Sequence, residues 1–356
     1  MSGASFGRIF RLTTFGESHG PGLGGIVEGC PAGILLDQDM IQKELDKRRP
    51  GRGPASTSRK EPDRVEILSG VFEGRTTGTA IGFYIANRDQ RSRDYAGIRD
   101  IYRPGHGDIT YDAKYGFRDY RGGGRASGRE TASRVAAGAI AQALLNKAGM
   151  DVLAYTGELG GVRARFSSRD EIHNNVFACP DPDVVPVWEE MVRDCRKNGD
   201  SLGGIVEIVG YNVPAGLGEP VFDKLDARMA YALMSVGAVK GVEVGRGFEA
   251  ARLKGSSNND CITREGFLSN NSGGILAGIS SGQPVLVRAA VKPIPSIASP
   301  QKTITTQGEE TEISIGGRHD ISAIPRIVPV LKAMFMLVLA DMYLLHRSRK
   351  DFPGQP

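Results

Sequence analysis

The segment RGGGRASGRE, residues 121–130, most restricts how this chain of 356 residues can fold. Its glycines permit a sharp turn, and Ser127 and Glu130 have the spacing of a capping box at a helix start. A helix start presents unpaired N–H groups and the positive end of the helix dipole. Arg121, Arg125 and Arg129 crowd the same point and would repel one another without a bound anion. The segment predicts an anion site, with a tight turn carrying solvated arginines as the alternative.

The distribution of charge points the same way. The net charge of +4 is too small for binding nucleic acid by bulk charge. Residues 43–64 carry eight basic and four acidic side chains, and residues 88–134 carry eleven and seven. Of the 45 basic residues 32 are Arg, the side chain suited to bidentate contacts with carboxylate and phosphate. The pattern predicts a compact site for a small polyanion, unless both segments are simply solvated loops.

Several classes of protein are disfavoured. The longest apolar stretch, residues 333–340, is far shorter than the roughly 20 residues of a membrane span. The N-terminus lacks the apolar core of a signal peptide, so we expect a cytoplasmic protein that binds neither membrane nor nucleic acid. No P-loop or His-rich metal motif occurs, and no metal site is expected. The four cysteines form no CxxC pair.

The periodicity predicts a mixture of short strands and helices. Strands are expected at 8–15, 23–28, 65–71, 80–85, 202–209, 285–291 and 312–315, and helices at 39–49, after 127, at 222–236 and at 328–345. The hexapeptide LGGIVE occurs at 23–28 and again at 202–207, which hints at two halves related by a pseudo-twofold axis. No linker separates them, so we expect one intertwined domain over residues 1–356. The polar loops at 51–63 and 88–119 are candidates to close over a site.

Two histidines lie in glycine-rich frames. His19 occurs in GESHG and His106 in YRPGHGD, whereas His173 and His346 have ordinary polar neighbours. Glycines free the backbone to hold a side chain against a ligand, and imidazole titrates near neutral pH. The pattern favours general acid catalysis, in which a histidine protonates a phosphate leaving group. The segment GGRHD adds Arg318 and Asp320, although a surface turn explains that segment equally well.

Taken together, these segments resemble the chorismate synthase family. The resemblance rests on FGESHG, RRPG, RPGHGD, YRGGGRASGRETA, PAGLGEPVFDKLDA, GILAGISSGQP, VKPIPS and GRHD, in this order from residue 6 to about 347. It implies an α+β fold, a layered sandwich with a helical core between antiparallel sheets. It implies a lyase of the shikimate pathway, which performs a 1,4-anti-elimination of phosphate from 5-enolpyruvylshikimate 3-phosphate to give chorismate. It also implies a homotetramer and a requirement for reduced FMN without net redox change.

The resemblance assigns roles residue by residue. His19 would assist the departing phosphate, His106 would lie by the flavin pyrimidine edge, and Asp320 would help flavin N5 take up the ring proton. The substrate would be bound by Arg48, Arg103, Arg129 and Arg318, with Ser127 among them. The flavin would be contacted by Arg125, Ala126, Ser127, Gly237, Ala238, Ala277, Lys292, Pro293, Ile294, Pro295, Ser296 and Arg318.

Three positions depart from the family pattern. Many members carry an Arg where this chain has Pro54, so a direct NADPH contact there falls to Arg52, the nearest substitute. Gly237 and Ala277 replace a frequent Asn and Gly, so flavin contacts there would be through the backbone. No reductase domain is appended, which favours a separate flavin reductase with NADPH as the indirect reductant. An FMN-dependent oxidoreductase and an Arg-rich RNA-binding protein are the competing interpretations.

Overall fold

Two antiparallel sheets enclose a layer of helices. The structure is a computed structural model that describes residues 3–49, 55, 61–88, 97–316 and 320–350. The helices are α1 (Gln38–Arg48), α2 (Asp108–Tyr115), α3 (Thr131–Lys147), α4 (Glu171–Asn174), α5 (Val185–Lys197), α6 (Leu225–Met234), α7 (Gly255–Asn258) and α8 (Ile324–Lys350).

The strands of the first half are β1 (Ser5–Phe6), β2 (Arg11–Gly16), β3 (Gly22–Glu28), β4 (Val65–Ile67), β5 (Val71–Phe72), β6 (Arg75–Thr76) and β7 (Ile81–Ala86). Five of them form the first sheet in the order β1-β2-β3-β7-β4. Ile81, Phe83 and Ile85 alternate with more exposed residues along β7, the two-residue period of a strand with one buried face.

The strands of the second half are β8 (Asp151–Leu159), β9 (Val162–Arg163), β10 (Gly204–Tyr211), β11 (Val239–Val244), β12 (Ile262–Thr263), β13 (Gly266–Phe267), β14 (Ile275–Leu276), β15 (Ile279–Ser280), β16 (Val285–Val291), β17 (Gln301–Ile304) and β18 (Glu310–Ile313). The second sheet has the order β11-β16-β10-β8-β9. The inner faces of both sheets and the helices between them contribute to one continuous apolar cluster.

The LGGIVE repeat has a topological counterpart. Its first copy forms most of β3 and its second copy leads into β10, and each strand is the central one of its five-stranded antiparallel sheet. The two halves therefore place the repeated sequence at equivalent positions.

The helical layer depends on close contact between α3 and α8. Helix α3 packs on β2 and β3, α8 packs on β8 and β10, and the two helices pack against each other. A Cβ atom on Gly138 would lie 2.3 Å from the Cβ of Ala333, so glycine is required where the helices cross. Helix α8 is long and apolar enough to cross a membrane, but 83% of its most apolar window is buried inside the protein, as in a core helix.

The sequence predictions need several corrections. The strand expected at 65–71 ends at Ile67, and Val71 belongs to a separate hairpin. The strand expected at 312–315 lies two residues earlier, as β18. The long strand β8 and the helix α5 were not predicted. Most of the loop at 51–63, and residues 89–96 of the second loop, lie outside the described residues.

Candidate active site

A cavity of about 600 Å³ opens at the N-terminal end of α3. Seven basic side chains line it, which are Arg48, Arg103, Arg125, Arg129, Arg134, Lys292 and Arg326. Three acidic side chains also line it, which are Glu61, Glu130 and Asp320. The two basic segments seen in the sequence therefore meet in one cavity, and a surplus of positive charge faces its interior.

A buried ion pair holds Arg103 in the wall. The Nε and Nη2 atoms of Arg103 each donate to Asp108 at 2.7 Å, and Nη2 also donates to the Gly122 carbonyl at 3.1 Å. Burial alone would raise the pKa of Asp108, but the hydrogen bonds and charge of Arg103 outweigh it and lower that pKa. The guanidinium is thus fixed in orientation before any ligand binds.

Arg48 and Arg129 share a second carboxylate, that of Asp63. Arg48 ends α1 and its Nη1 donates to Asp63 Oδ2 at 3.0 Å, while Arg129 Nη1 donates to the other oxygen. Arg48 is 2% exposed and Asp63 is fully buried. Burial lowers the pKa of Arg48 to about 10, with Asp63 opposing that shift, so Arg48 stays charged at neutral pH.

The start of α3 differs from the predicted capping box. Ser127 does cap the chain, because its Oγ accepts from the Arg129 N–H at 3.3 Å. The side chain of Glu130, however, does not accept from the Ser127 backbone N–H as a capping box requires. It accepts from Thr14 at 3.2 Å and from Arg134 at 2.9 Å, because the helix begins through a short 3-10 turn at Gly128–Glu130. Arg121 pairs with Asp119 at the surface and is not part of the cavity wall.

The two histidines occupy different places. His106 lines the cavity, with its Nε2 2.7 Å from Ser296 Oγ. Lys292 donates to the Gly105 carbonyl at 2.9 Å, which ties the two segments together beside it. His19 is not among the residues that line the cavity, and its Nδ1 lies 3.0 Å from Ser18 Oγ. Its ring packs against Gly122, one residue before the cavity-lining Gly123.

Asp320 lines the cavity and pairs with Arg326. The Nε of Arg326 also donates to the Arg48 carbonyl at 3.3 Å, so the first turn of α8 is tied to the end of α1. Arg52 and Arg318 lie outside the described residues, as does Pro54.

Most of the expected flavin contacts meet in this cavity. The expected flavin contacts that line the cavity are Arg125, Ala126, Ser127, Gly237, Ala238, Lys292, Ile294, Pro295 and Ser296. Pro293 is not among the lining residues, and Ala277 forms the turn between β14 and β15, beside the N-terminal end of α6. Gly237 and Ala238 follow the opposite end of that ten-residue helix, about 15 Å away. The structure of this chain therefore does not bring Ala277 to the cavity.

The donor set of the cavity fits a flavin nucleotide. Val236, Ile294, Pro295, Ile327 and Val330 contribute apolar side chains to the lining, and apolar side chains are suited to contact a planar aromatic ring. Arginines and the helix start supply donors for a phosphate. Within the described part of the chain, no cluster of His, Cys, Asp or Glu side chains is arranged to hold a metal ion.

Sequence reasoning missed the carboxylates behind the arginines, and it missed Arg134 and Arg326. Asp63 is 15 residues from Arg48 and 66 from Arg129, so no local spacing could reveal that it binds both. Arg326 did leave a signal, since it is a lone basic residue in the first turn of an apolar helix.

This fold and cavity define an α+β protein with a cavity whose wall combines seven basic side chains with several apolar ones. A sequence profile described as chorismate synthase matches residues 10–344. The chain belongs to the chorismate synthase family.

Similar proteins agree over nearly the full length. A chorismate synthase of Oleidesulfovibrio alaskensis is 66% identical over 348 residues, covering 98% of each chain. One of Maridesulfovibrio salexigens is 64% identical over 347 residues, covering 98% of this chain and 99% of the relative. A crystal structure of chorismate synthase has a TM-score of 0.75 and 34% identity, covering 96% of this chain and 93% of that one.

The function follows from these comparisons. The protein is a lyase that forms chorismate in the shikimate pathway. Neither RNA binding nor net flavin-dependent oxidation receives support from the comparisons.

Proposed function

We propose that the cavity described above is the active site, where phosphate and a ring proton are eliminated from 5-enolpyruvylshikimate 3-phosphate. The observation that carries this proposal is the wall of seven basic side chains, several of them held by carboxylates in the protein. The substrate carries one phosphate and two carboxylates, which matches that wall in charge. Guanidinium groups fixed in advance need little reorganisation as charge develops on the departing phosphate.

The substrate anions are bound by Arg48, Arg103 and Arg129, with Arg318 as a further proposed contact. Arg48 and Arg103 are almost completely buried, so their interaction with an anion is weakly screened by water. Ser127 caps the turn that presents Arg129. These residues hold the substrate in one orientation, which is how a binding site lowers the barrier to a unimolecular elimination.

Protons are handled by His19, His106 and Asp320. The C–O bond to phosphate breaks while a ring proton leaves, and a new double bond forms without net oxidation. His19 would assist the departing phosphate from the edge of the cavity, His106 would lie beside the flavin, and Asp320 would help the flavin take up the ring proton. Arg326 holds Asp320 by an ion pair in the wall.

Reduced FMN is the proposed cofactor, and when bound it donates electron density to the breaking C–O bond. The residues that would hold it are Arg125 to Ser127, Gly237, Ala238, and Lys292 to Ser296, with Arg318. Ala277 would contact a flavin only through another copy of the chain, since it lies far from its own cavity. NADPH would act indirectly through a separate reductase, whereas a direct contact of NADPH with this chain would fall to Arg52.

Three further features complete the proposal. We infer a homotetramer in the cytoplasm, with residues 1–356 as one domain. Support for an assembly comes from the outer face of the first sheet, where Phe15 and Ile26 are exposed on neighbouring strands. Exposed apolar side chains that group on one face can mark a site of protein contact.

The test is an anaerobic assay of the purified protein with chemically reduced FMN and 5-enolpyruvylshikimate 3-phosphate. Release of chorismate and phosphate in equal amounts is the expected result. Binding of flavin without formation of either product would contradict the proposal.

A further inference from the structure

The side chain of Asn87 connects two parts of the proposed active site. Asn87 follows β7, and its Nδ2 donates to the carbonyls of Glu17 at 2.9 Å and Gly20 at 2.8 Å, with a longer contact to Ser18 at 3.4 Å. Its Oδ1 accepts from Arg129 Nε at 2.9 Å. One amide thus ties a loop to a cavity arginine.

The two ends of this connection carry proposed functional groups. The loop at 17–20 carries His19, whose ring packs against Gly122 at the edge of the cavity. Arg129 lines the cavity and is held on its other side by Asp63. The backbone N–H of Asn87 also donates to Pro21 at 3.0 Å, which fixes where the loop returns to β3.

We propose that Asn87 is a positioning residue, which sets the distance between His19 and the arginines that bind the substrate. This inference rests on the proposed function. The loop at 17–20 lies between Gly16 at the end of β2 and Gly20, and three of its carbonyls contact this one side chain, so the loop depends on the amide for its shape. Misplacing a reacting group by about 1 Å can cost a rate factor near 10².

The substitution Asn87→Asp separates the contact with Arg129 from the contacts with the loop carbonyls. A carboxylate keeps an acceptor for Arg129 but loses both N–H donors and sets a negative charge against the loop carbonyls. Asn87→Ser is the second variant, because it removes the amide without adding charge. Asn175→Asp is a matched control, since the side chain of Asn175 also donates to two backbone carbonyls, of Glu171 at 2.7 Å and Cys179 at 2.8 Å, and does not line the cavity.

The experiment measures kcat and KM for chorismate formation, in the wild-type His19 background and in His19→Ala. We expect Asn87→Asp to lower kcat about 10-fold or more while KM changes less than about 3-fold. The control should change kcat less than about 2-fold. In the His19→Ala background Asn87→Asp should cost less than about 2-fold further, because the residue acts through His19.

Two outcomes would overturn the role of Asn87. One is an unchanged kcat in Asn87→Asp, and the other is an equal loss of kcat in both backgrounds, which a merely structural residue would give. If Asn87→Asp does not fold, Asn87→Ser is judged by the same criteria. A wild-type protein that binds flavin and substrate yet forms no chorismate would instead contradict the proposed function on which the inference rests.

Discussion

At the scale of single residues, the carboxylates behind the cavity matter as much as the arginines that face it. Breaking a buried ion pair by removing one partner typically costs about 3–5 kcal/mol, because a charge is left buried and unpaired. Asp63 is fully buried and serves both Arg48 and Arg129. Removing this carboxylate would therefore leave two cavity arginines without their shared partner.

We predict that Asp63→Asn lowers the free energy of unfolding by about 3–5 kcal/mol, measured by urea denaturation. Adding Arg48→Met should recover part of the loss, because it removes the buried positive charge that the first change leaves unpaired. A loss below about 1 kcal/mol in the single variant would show that Asp63 does not hold these arginines.

Asp108 gives a prediction about pH. The pKa of Asp108 is lower in the folded protein than its ordinary value, so the unfolded chain binds more protons in acid. The stability that this group contributes is present above the ordinary pKa, near 4, and is lost as the pH falls through the lowered value. The free energy of unfolding, measured from about pH 6 down to pH 2, should therefore decline less steeply in Asp108→Asn than in the wild type. Parallel declines would contradict this assignment.

Ser296 tests how His106 is oriented. Removing the Ser296 hydroxyl takes away the contact that Ser296 Oγ makes with His106 Nε2 at 2.7 Å. We predict that Ser296→Ala lowers kcat about 10-fold with a smaller change in KM, measured by steady-state kinetics. Ser299→Ala is the control, because that hydroxyl donates to the Asn198 carbonyl outside the cavity. Equal kinetics in both variants would show that Ser296 does not orient His106 for catalysis.

At the scale of elements, the crossing of α3 and α8 fixes where the cavity forms. The 3-10 turn that leads into α3 carries Arg129, the first turn of α3 carries Arg134, and the first turn of α8 carries Arg326. These starts converge because the helices approach closely at Gly138 and Ala333.

The substitution Gly138→Ala has two opposing effects on the stability of the fold. Alanine favours a helix over glycine by about 1 kcal/mol, whereas overpacking a core costs about 1–3 kcal/mol. A Cβ at 2.3 Å from another Cβ cannot be relieved without moving a helix, so overpacking should dominate. We predict a lower melting temperature for Gly138→Ala and partial recovery in Gly138→Ala with Ala333→Gly. A rise in melting temperature would mean that the helices separate freely at this point.

The sequence predicted some elements well and others not at all. The end of α3 has a local sequence signal, because Gly149 adopts φ +79 and the Met150 N–H bonds to the Leu145 carbonyl, as in a left-handed helix cap. Strand β8 was missed because its two faces are both largely buried, which removes the alternation that identifies a strand. The capping box predicted at the start of α3 was wrong, because the Glu130 side chain accepts instead from Thr14 of β2 and from Arg134 of its own helix.

At the scale of the whole molecule, the layered sandwich brings distant segments to one place. Residues 48, 103, 129, 292 and 320 come from five separate stretches of the chain, yet all line one cavity. The motifs that carry the family resemblance predicted these positions, although their chemistry could not be read from spacing alone. What no pattern showed was the pairing between arginines and remote carboxylates, because such pairs form only when the sheets close around the helices.

The central claim is that this cavity performs an elimination in which reduced flavin is required but not consumed. The most direct test supplies reduced FMN in limiting amount under strict anaerobic conditions and follows chorismate together with the flavin absorbance. We expect many molecules of chorismate per flavin, an equal yield of phosphate, and an absorbance that returns to that of reduced flavin. One product per flavin, with oxidised flavin accumulating in step, would contradict it.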